Sequence, residues 1–334
     1  MPSRATTIPT AVGSPAIVAE PPTVDLTTTV GGVSLPNPVM CAAGTAGHGA
    51  ELSAFVDLSR LGAVVVKSLS VDPWPGNPAP RVHPLSTGMI NSVGLEGPGL
   101  AAWADAELPQ LQRAGARVVV SIWGRSIEDY AEAAEALAVL VGRHDQPGAI
   151  VALEVNLSCP NLAGKSMFAH DAPAAAQVMA ATAVAGLPRW AKLSPNTDRL
   201  VQVATACAEA GADAVTLTNT LLGLVIDIET RRPVLGGGGG GVSGPGMGPI
   251  AVRAVWDVAR ALPQLPIIGA GGVCDADSAI QLLMAGASAV QVGTATFADP
   301  RAPGRVAADL VDWCRRHGVG DVGELIGAIH GTRS

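Results

Sequence analysis

The sequence predicts one (β/α)8 barrel, on three observations: eight short runs rich in β-branched residues, helix-like Ala-rich segments between most of them, and a length of 334 residues that one barrel domain can use. The runs lie around Val39, Val65, Val119, Val155, Lys192, Leu217, Ile268 and Val292. Of the segments between them, SIEDYAEAAEALAVLVGRH opens on Ser126 and Glu128 and keeps its apolar residues at helical spacing. LVQVATACAEAGAD reaches Gly211 just past its last periodic residue, where a helix stop belongs. Strand and helix in alternation require a parallel sheet; eight units favour closure, with an open doubly wound sheet as the alternative.

Composition narrows the function classes. Hydrophobic residues make up 48% and charged residues 15%, so there is material for a large core, and with aromatics at 3% that core is aliphatic. A net charge of −7 and no basic run argue against nucleic acid as a partner. No apolar segment reaches the ~18 to 20 residues of a membrane span, so no membrane insertion is expected. The first residues, 1–24, read as a loose leader rich in Pro, Thr and Ala, leaving 25–334 as the domain. Five scattered cysteines without C-x-x-C suit a reducing, cytoplasmic compartment and give no metal site within the chain.

Two intervals break the rhythm: Ser70 to Ala101, rich in Pro, Gly and Asn, and Leu221 to Pro249, which contains six consecutive glycines. Long excursions in a compact domain serve as lids or binding loops, or are mobile insertions. For Gly236–Gly240 a flexible linker is expected. Ser243 and Gly244 stand apart, beside a helix start at Pro249.

In a parallel barrel the chemistry gathers at the C-terminal ends of the strands. The residues there are polar: Lys67 and Ser68, the stretch from Asn156 to Asn161 with Cys159 inside it, Lys192 and Ser194, Asn219 and Thr220. One strand-end lysine is ordinarily solvated, but two on well-separated strands favour a site for an anion or an electron-rich ring. The last two runs end in Gly269–Gly272 and Gly293–Ala295, where exposed N–H groups suit a phosphate. The residues thus ask for a phosphate-bearing cofactor and a small anionic, hydrogen-bonding substrate. A barrel that binds a phosphorylated metabolite without redox chemistry stays open at this point, and a non-enzymatic module leaves the polar strand ends unexplained.

The ordered set VKSLS, NSVGLEGPG, NLSCPN, WAKLSPN, LTNT, SGP, GAGGV and VGTA resembles the soluble class of the dihydroorotate dehydrogenase family from Asn37 to Pro300. The resemblance implies FMN as cofactor and oxidation of dihydroorotate to orotate in pyrimidine synthesis. It implies that Cys159 is the catalytic base. It assigns Lys67, Asn91, Gly94, Leu95, Asn156, Asn161, Asn219 and Thr220 to the substrate, with Lys67 and Asn156 shared with the flavin. The rest of the flavin shell is then Ala43, Gly44, Ser68, Lys192, Ser243, Gly244, Gly271, Gly272, Gly293 and Thr294. AAGTAGHG, together with ADP after VGTATF, is similar to the kind that works with a partner subunit carrying FAD and an iron–sulfur cluster, around a homodimeric core. The sequence departs from the pattern at Glu96 and Gly97, where an amide pair is expected, in the longer glycine tract, and in GKSMFAHDA after Asn161. A related flavin barrel acting on another dihydropyrimidine is the nearest alternative.

Overall fold

The computed structural model describes residues 23–143, 149–158 and 167–331. Eight parallel strands close a barrel: β1 (Val39–Cys41), β2 (Val64–Val65), β3 (Val118–Ile122), β4 (Ile150–Asn156), β5 (Arg189–Leu193), β6 (Ala214–Leu217), β7 (Ile267–Ala270) and β8 (Ala289–Val292). They are neighbours in chain order, and β8 returns to β1 with Val290 opposite Val39 and Val292 opposite Cys41. Closure removes the open edges that a doubly wound sheet would keep. All eight runs read from the sequence are strands, and the two helix-like segments are helices at Ile127–Arg143 and Leu200–Glu209.

Alternation along each strand separates two cores. Residues such as Val64, Val118, Val120, Leu153 and Val155 face the surrounding helices and pack with Tyr130, Leu137, Val178 and Val203. Their neighbours point inward: Met40, Val65, Val119, Ala152, Trp190, Ala214, Ile268 and Ala289, one from each strand, form the apolar floor of the barrel. Beneath it an antiparallel hairpin, Thr28–Val30 with Val33–Leu35, closes the N-terminal end by burying Val30, Val33 and Leu35 against that layer. Full burial of each such aliphatic side chain is worth roughly 1.5–3 kcal/mol.

The opposite end is roofed by the two long excursions. Leu221–Gly223, Gly240–Ser243, Gly88–Asn91 and Val82–Leu85 form a four-stranded antiparallel sheet in that spatial order. This corrects the expectation of a flexible linker for Gly236–Gly240. Gly240 pairs with Gly223, and Leu235 forms a bridge with Gly238. The glycines are there because the strands crowd one another: a Cβ on Gly240 would run into Asn91 O, and one on Gly236 into Pro78 O. Gly240→Ala should therefore cost roughly 1–3 kcal/mol in denaturant unfolding, as overpacking does. In a mobile linker the same change would stabilise by about 0.4–1 kcal/mol. The leader expected over 1–24 lies almost wholly outside the described residues; Val24 packs against the outer core.

Candidate active site

Two residues above the floor, the inward positions turn polar. Moving from Ala152 to Glu154, Trp190 to Lys192, Ala214 to Thr216, Val119 to Ser121 and Ala289 to Gln291 keeps each side chain inside the barrel. These five groups meet. Glu154, fully buried, accepts from Lys192 Nζ (3.4 Å) and Ser121 Oγ (3.4 Å) through Oε1. Its Oε2 accepts from Thr216 Oγ1 (3.2 Å) and Gln291 Nε2 (2.9 Å). A carboxylate so deep needs a cation and several donors to offset its desolvation, and this one has both.

From this centre a chain of hydrogen bonds runs up one wall. Ser121 Oγ and Ser68 Oγ lie 2.9 Å apart, and Asn156 Nδ2 donates to Ser68 Oγ (3.2 Å). Asn219 Nδ2 donates to Asn156 Oδ1 (3.2 Å), and Asn219 Oδ1 accepts from the N–H of Thr220 (2.8 Å). The polar residues at the ends of β2, β3, β4 and β6 thus form one connected set. On the roof side, Asn91 Nδ2 donates to Gly241 O (3.3 Å), and Asn196 Nδ2 donates to Ser194 Oγ (2.8 Å) and Thr220 O (2.9 Å).

A cavity of about 1340 Å³ opens above these groups. A single small-molecule site occupies about 300–1,000 Å³, so two ligands side by side fit this one better than one. Lys67 lines it next to Gly44, whose Cβ, were there one, would stand 3.8 Å from Lys67 Nζ. Burial holds the Lys67 ammonium below the 10.5 of an ordinary lysine; Glu96 opposes that shift and Arg81 reinforces it. Gly94 and Leu95 reach the cavity in the left-handed region, at φ +73° and +61°. For leucine that conformation costs on the order of 1–3 kcal/mol, which marks the turn as held in place by its surroundings. Thr294 Oγ1 donates to Ser243 Oγ (2.7 Å), tying the end of β8 to the roof.

All the sequence-predicted site residues that fall within the described residues line this one cavity. The structure brings together Lys67, Asn91, Gly94, Leu95, Asn156, Asn219 and Thr220 with Ala43, Gly44, Ser68, Lys192, Ser243, Gly244, Gly271, Gly272, Gly293 and Thr294. Cys159 and Asn161 lie outside the described residues. Cys41 and Cys207 are buried in the outer core, and burial pushes both thiols up to about 12. Where the sequence departs from the family pattern, Glu96 pairs with Arg81, and Gly97 pairs with Trp74 through two backbone bonds. Sequence reading missed Glu154, Ser121, Thr216, Gln291 and Asn196. The signal for the first four is present in strand alternation, since Glu154 stands two residues before Asn156 and so shares its face.

Among the described residues no helix is long and apolar enough to cross a membrane. A family model described as dihydroorotate dehydrogenase matches residues 25–313. The chain is 45% identical over 307 residues to a "Dihydroorotate dehydrogenase B (NAD(+)), catalytic subunit" of Pelobacter propionicus, covering 91% of this chain and 98% of that relative. It is 46% identical over 305 residues to the protein of the same description in Desulforudis audaxviator, with 91% and 97% covered. A crystal structure of DHODH from Eimeria tenella, in complex with ferulenol, is similar at a TM-score of 0.74 and 22% identity, over 95% of this chain and 90% of that one, a likeness of fold. Since the family match runs from below the floor hairpin into the last long helix, taking in every strand that supplies the cavity, the chain belongs to the dihydroorotate dehydrogenase family.

Proposed function

We propose that this protein oxidises (S)-dihydroorotate to orotate in pyrimidine biosynthesis as the catalytic subunit of an NAD-linked enzyme, with FMN as its resident flavin. The observation that carries the proposal is the lining of one large cavity. Lys67, Asn91, Asn156, Asn219 and Thr220 line it together with the glycines at the ends of β7 and β8 and with Lys192.

The residues fit a flavin phosphate and a ring with hydrogen-bonding edges. The N–H groups of Gly271, Gly272, Gly293 and Thr294 donate to no acceptor among the described residues, an arrangement suited to phosphate oxygens. Thr218 Oγ1 and Gln291 Oε1 are buried in the cavity wall without a partner among the described residues, and buried polar atoms of this kind normally have one. Bound in that space, the flavin supplies the acceptor for the hydride leaving C6 of the substrate.

The chain's own residues do the rest. Lys67 holds the substrate carboxylate, and Asn91, Asn156, Asn161 and Asn219 match the donors and acceptors of its imide edge. Cys159 takes the proton from C5. Lys192 places positive charge where negative charge develops on reduction. The relatives' description as catalytic subunits supports a partner protein, which we propose carries FAD and an iron–sulfur cluster and binds a homodimer of this chain in the cytoplasm.

The test is turnover by the purified holoprotein, with the flavin identified after acid release. Dihydroorotate should be preferred over dihydrouracil by on the order of 10⁴-fold, because the second leaves Lys67 unpaired. That preference should fall as pH rises through the lowered Lys67 value, at a pH below 10.5, where the neutral amine no longer binds the carboxylate. Equal turnover of dihydrouracil would assign the protein to another dihydropyrimidine. A colourless, folded protein would end the flavin reading altogether.

A further inference from the structure

None of these roles falls to Glu154, although both of its oxygens are engaged. Four side chains from β3, β5, β6 and β8 converge on them, and every one of the four is buried. A structural carboxylate could equally have been replaced by an apolar residue, since filling a barrel layer needs no charge and a buried ion pair rarely adds stability over a well-packed substitute. What the pair does provide is a fixed place and a compensated charge for Lys192.

We infer that Glu154 is a positioning residue that sets the electrostatics of the redox site: it holds Lys192 Nζ at the cavity wall and partly neutralises it, so that the site stabilises negative charge on a bound flavin only moderately. Three observations support this. The pair is 3.4 Å apart, with Glu154 fully buried and Lys192 nearly so, so solvent screens it little. Gln291 is turned by the same carboxylate: its Nε2 must face Glu154 Oε2, which leaves Oε1 as the unpartnered acceptor. Through Ser121 and Ser68 the carboxylate also connects to Asn156 and Asn219. A change at Glu154 therefore reaches Lys192 and Gln291 as well as Asn156 and Asn219.

The inference rests on the flavin reading above, and the experiment separates the two. The measurement is an equilibrium titration of the bound flavin against a reference dye in the wild-type holoprotein, Glu154→Gln and Glu154→Asp. Glutamine keeps the shape and most hydrogen bonds but leaves the Lys192 charge uncompensated, which favours the reduced, anionic flavin. The ratio of reduced to oxidised flavin at a fixed potential should rise by on the order of tenfold or more, the size of effect that an uncompensated neighbouring charge has on a charged group. Aspartate keeps the charge but draws it back from Nζ, so its ratio should lie between the other two. If Glu154→Gln does not fold, the aspartate variant must still shift towards reduced flavin. An unchanged ratio, or one shifted towards oxidised flavin, in a variant that binds flavin overturns the role of Glu154 and leaves the flavin reading standing; a wild-type protein that takes up no flavin overturns both.

Discussion

Cys159→Ala should purify with its flavin and fail to reduce it: the rate of flavin reduction by dihydroorotate, followed by anaerobic stopped-flow absorbance, should drop by about 10²–10⁴-fold, the usual contribution of a positioned base. The reasoning is chemical. A thiol with an ordinary pKa of about 8.5 is close enough to neutrality to accept a proton from an acidic C–H. Cys41 and Cys207 are unsuited to the task, because burial pushes both to about 12 and neither reaches the cavity. The strand that leads to Cys159 is anchored close to the site: the N–H of Leu157 donates to Lys192 O (3.2 Å), and the N–H of Ser158 donates to Asn156 Oδ1 (3.2 Å). A mutant that reduces its flavin at the wild-type rate would remove Cys159 from the mechanism.

Lys192→Met should destabilise the protein by about 3–5 kcal/mol in denaturant unfolding, because it leaves the Glu154 carboxylate buried with three uncharged donors and no cation. The variant should also purify with less flavin, or with flavin that is harder to reduce. Adding Glu154→Gln removes the stranded charge and should restore most of the stability without restoring the flavin properties. That split distinguishes a structural ion pair from one that serves the cofactor. Equal stability of the single and double variants would mean that no stranded charge is left behind, and would overturn the expected cost of breaking the pair.

Much of the site is legible in the sequence because a parallel barrel has a simple rule of placement. Once the eight apolar runs are strands, whatever follows each run stands at one rim, and Lys67, Asn156, Lys192, Asn219 and the two glycine clusters converge without further assumption. Glu154 is harder to find because VALEVN reads as an apolar strand with a polar end, whereas its inward face runs from Ala152 through Glu154 to Asn156. Asn196 is hidden for a different reason. Its contacts, to Ser194 Oγ, Thr220 O and the N–H of Leu222, join two loops whose approach no local pattern reports.

The glycine tract shows where local reading misleads. Glycine raises the freedom of an isolated chain, so a run of it suggests a linker. In the folded protein the same lack of Cβ lets three strands approach within backbone contact, and the end of the tract, Gly240 and Gly241, enters a middle strand of the sheet over the cavity.

The sequence by itself determined the eight strands, the helical segments between them and the kinds of group at the strand ends, and favoured a barrel, because short β-branched runs and helical spacing are local signals. Only the tertiary structure decided that Glu154 faces Lys192, that Ser121, Ser68, Asn156 and Asn219 form one chain, and that Gly240 lies against Asn91. Those contacts join residues at least 38 apart in the chain, and which of them meet depends on how strands and roof loops assemble, which no stretch of sequence expresses on its own.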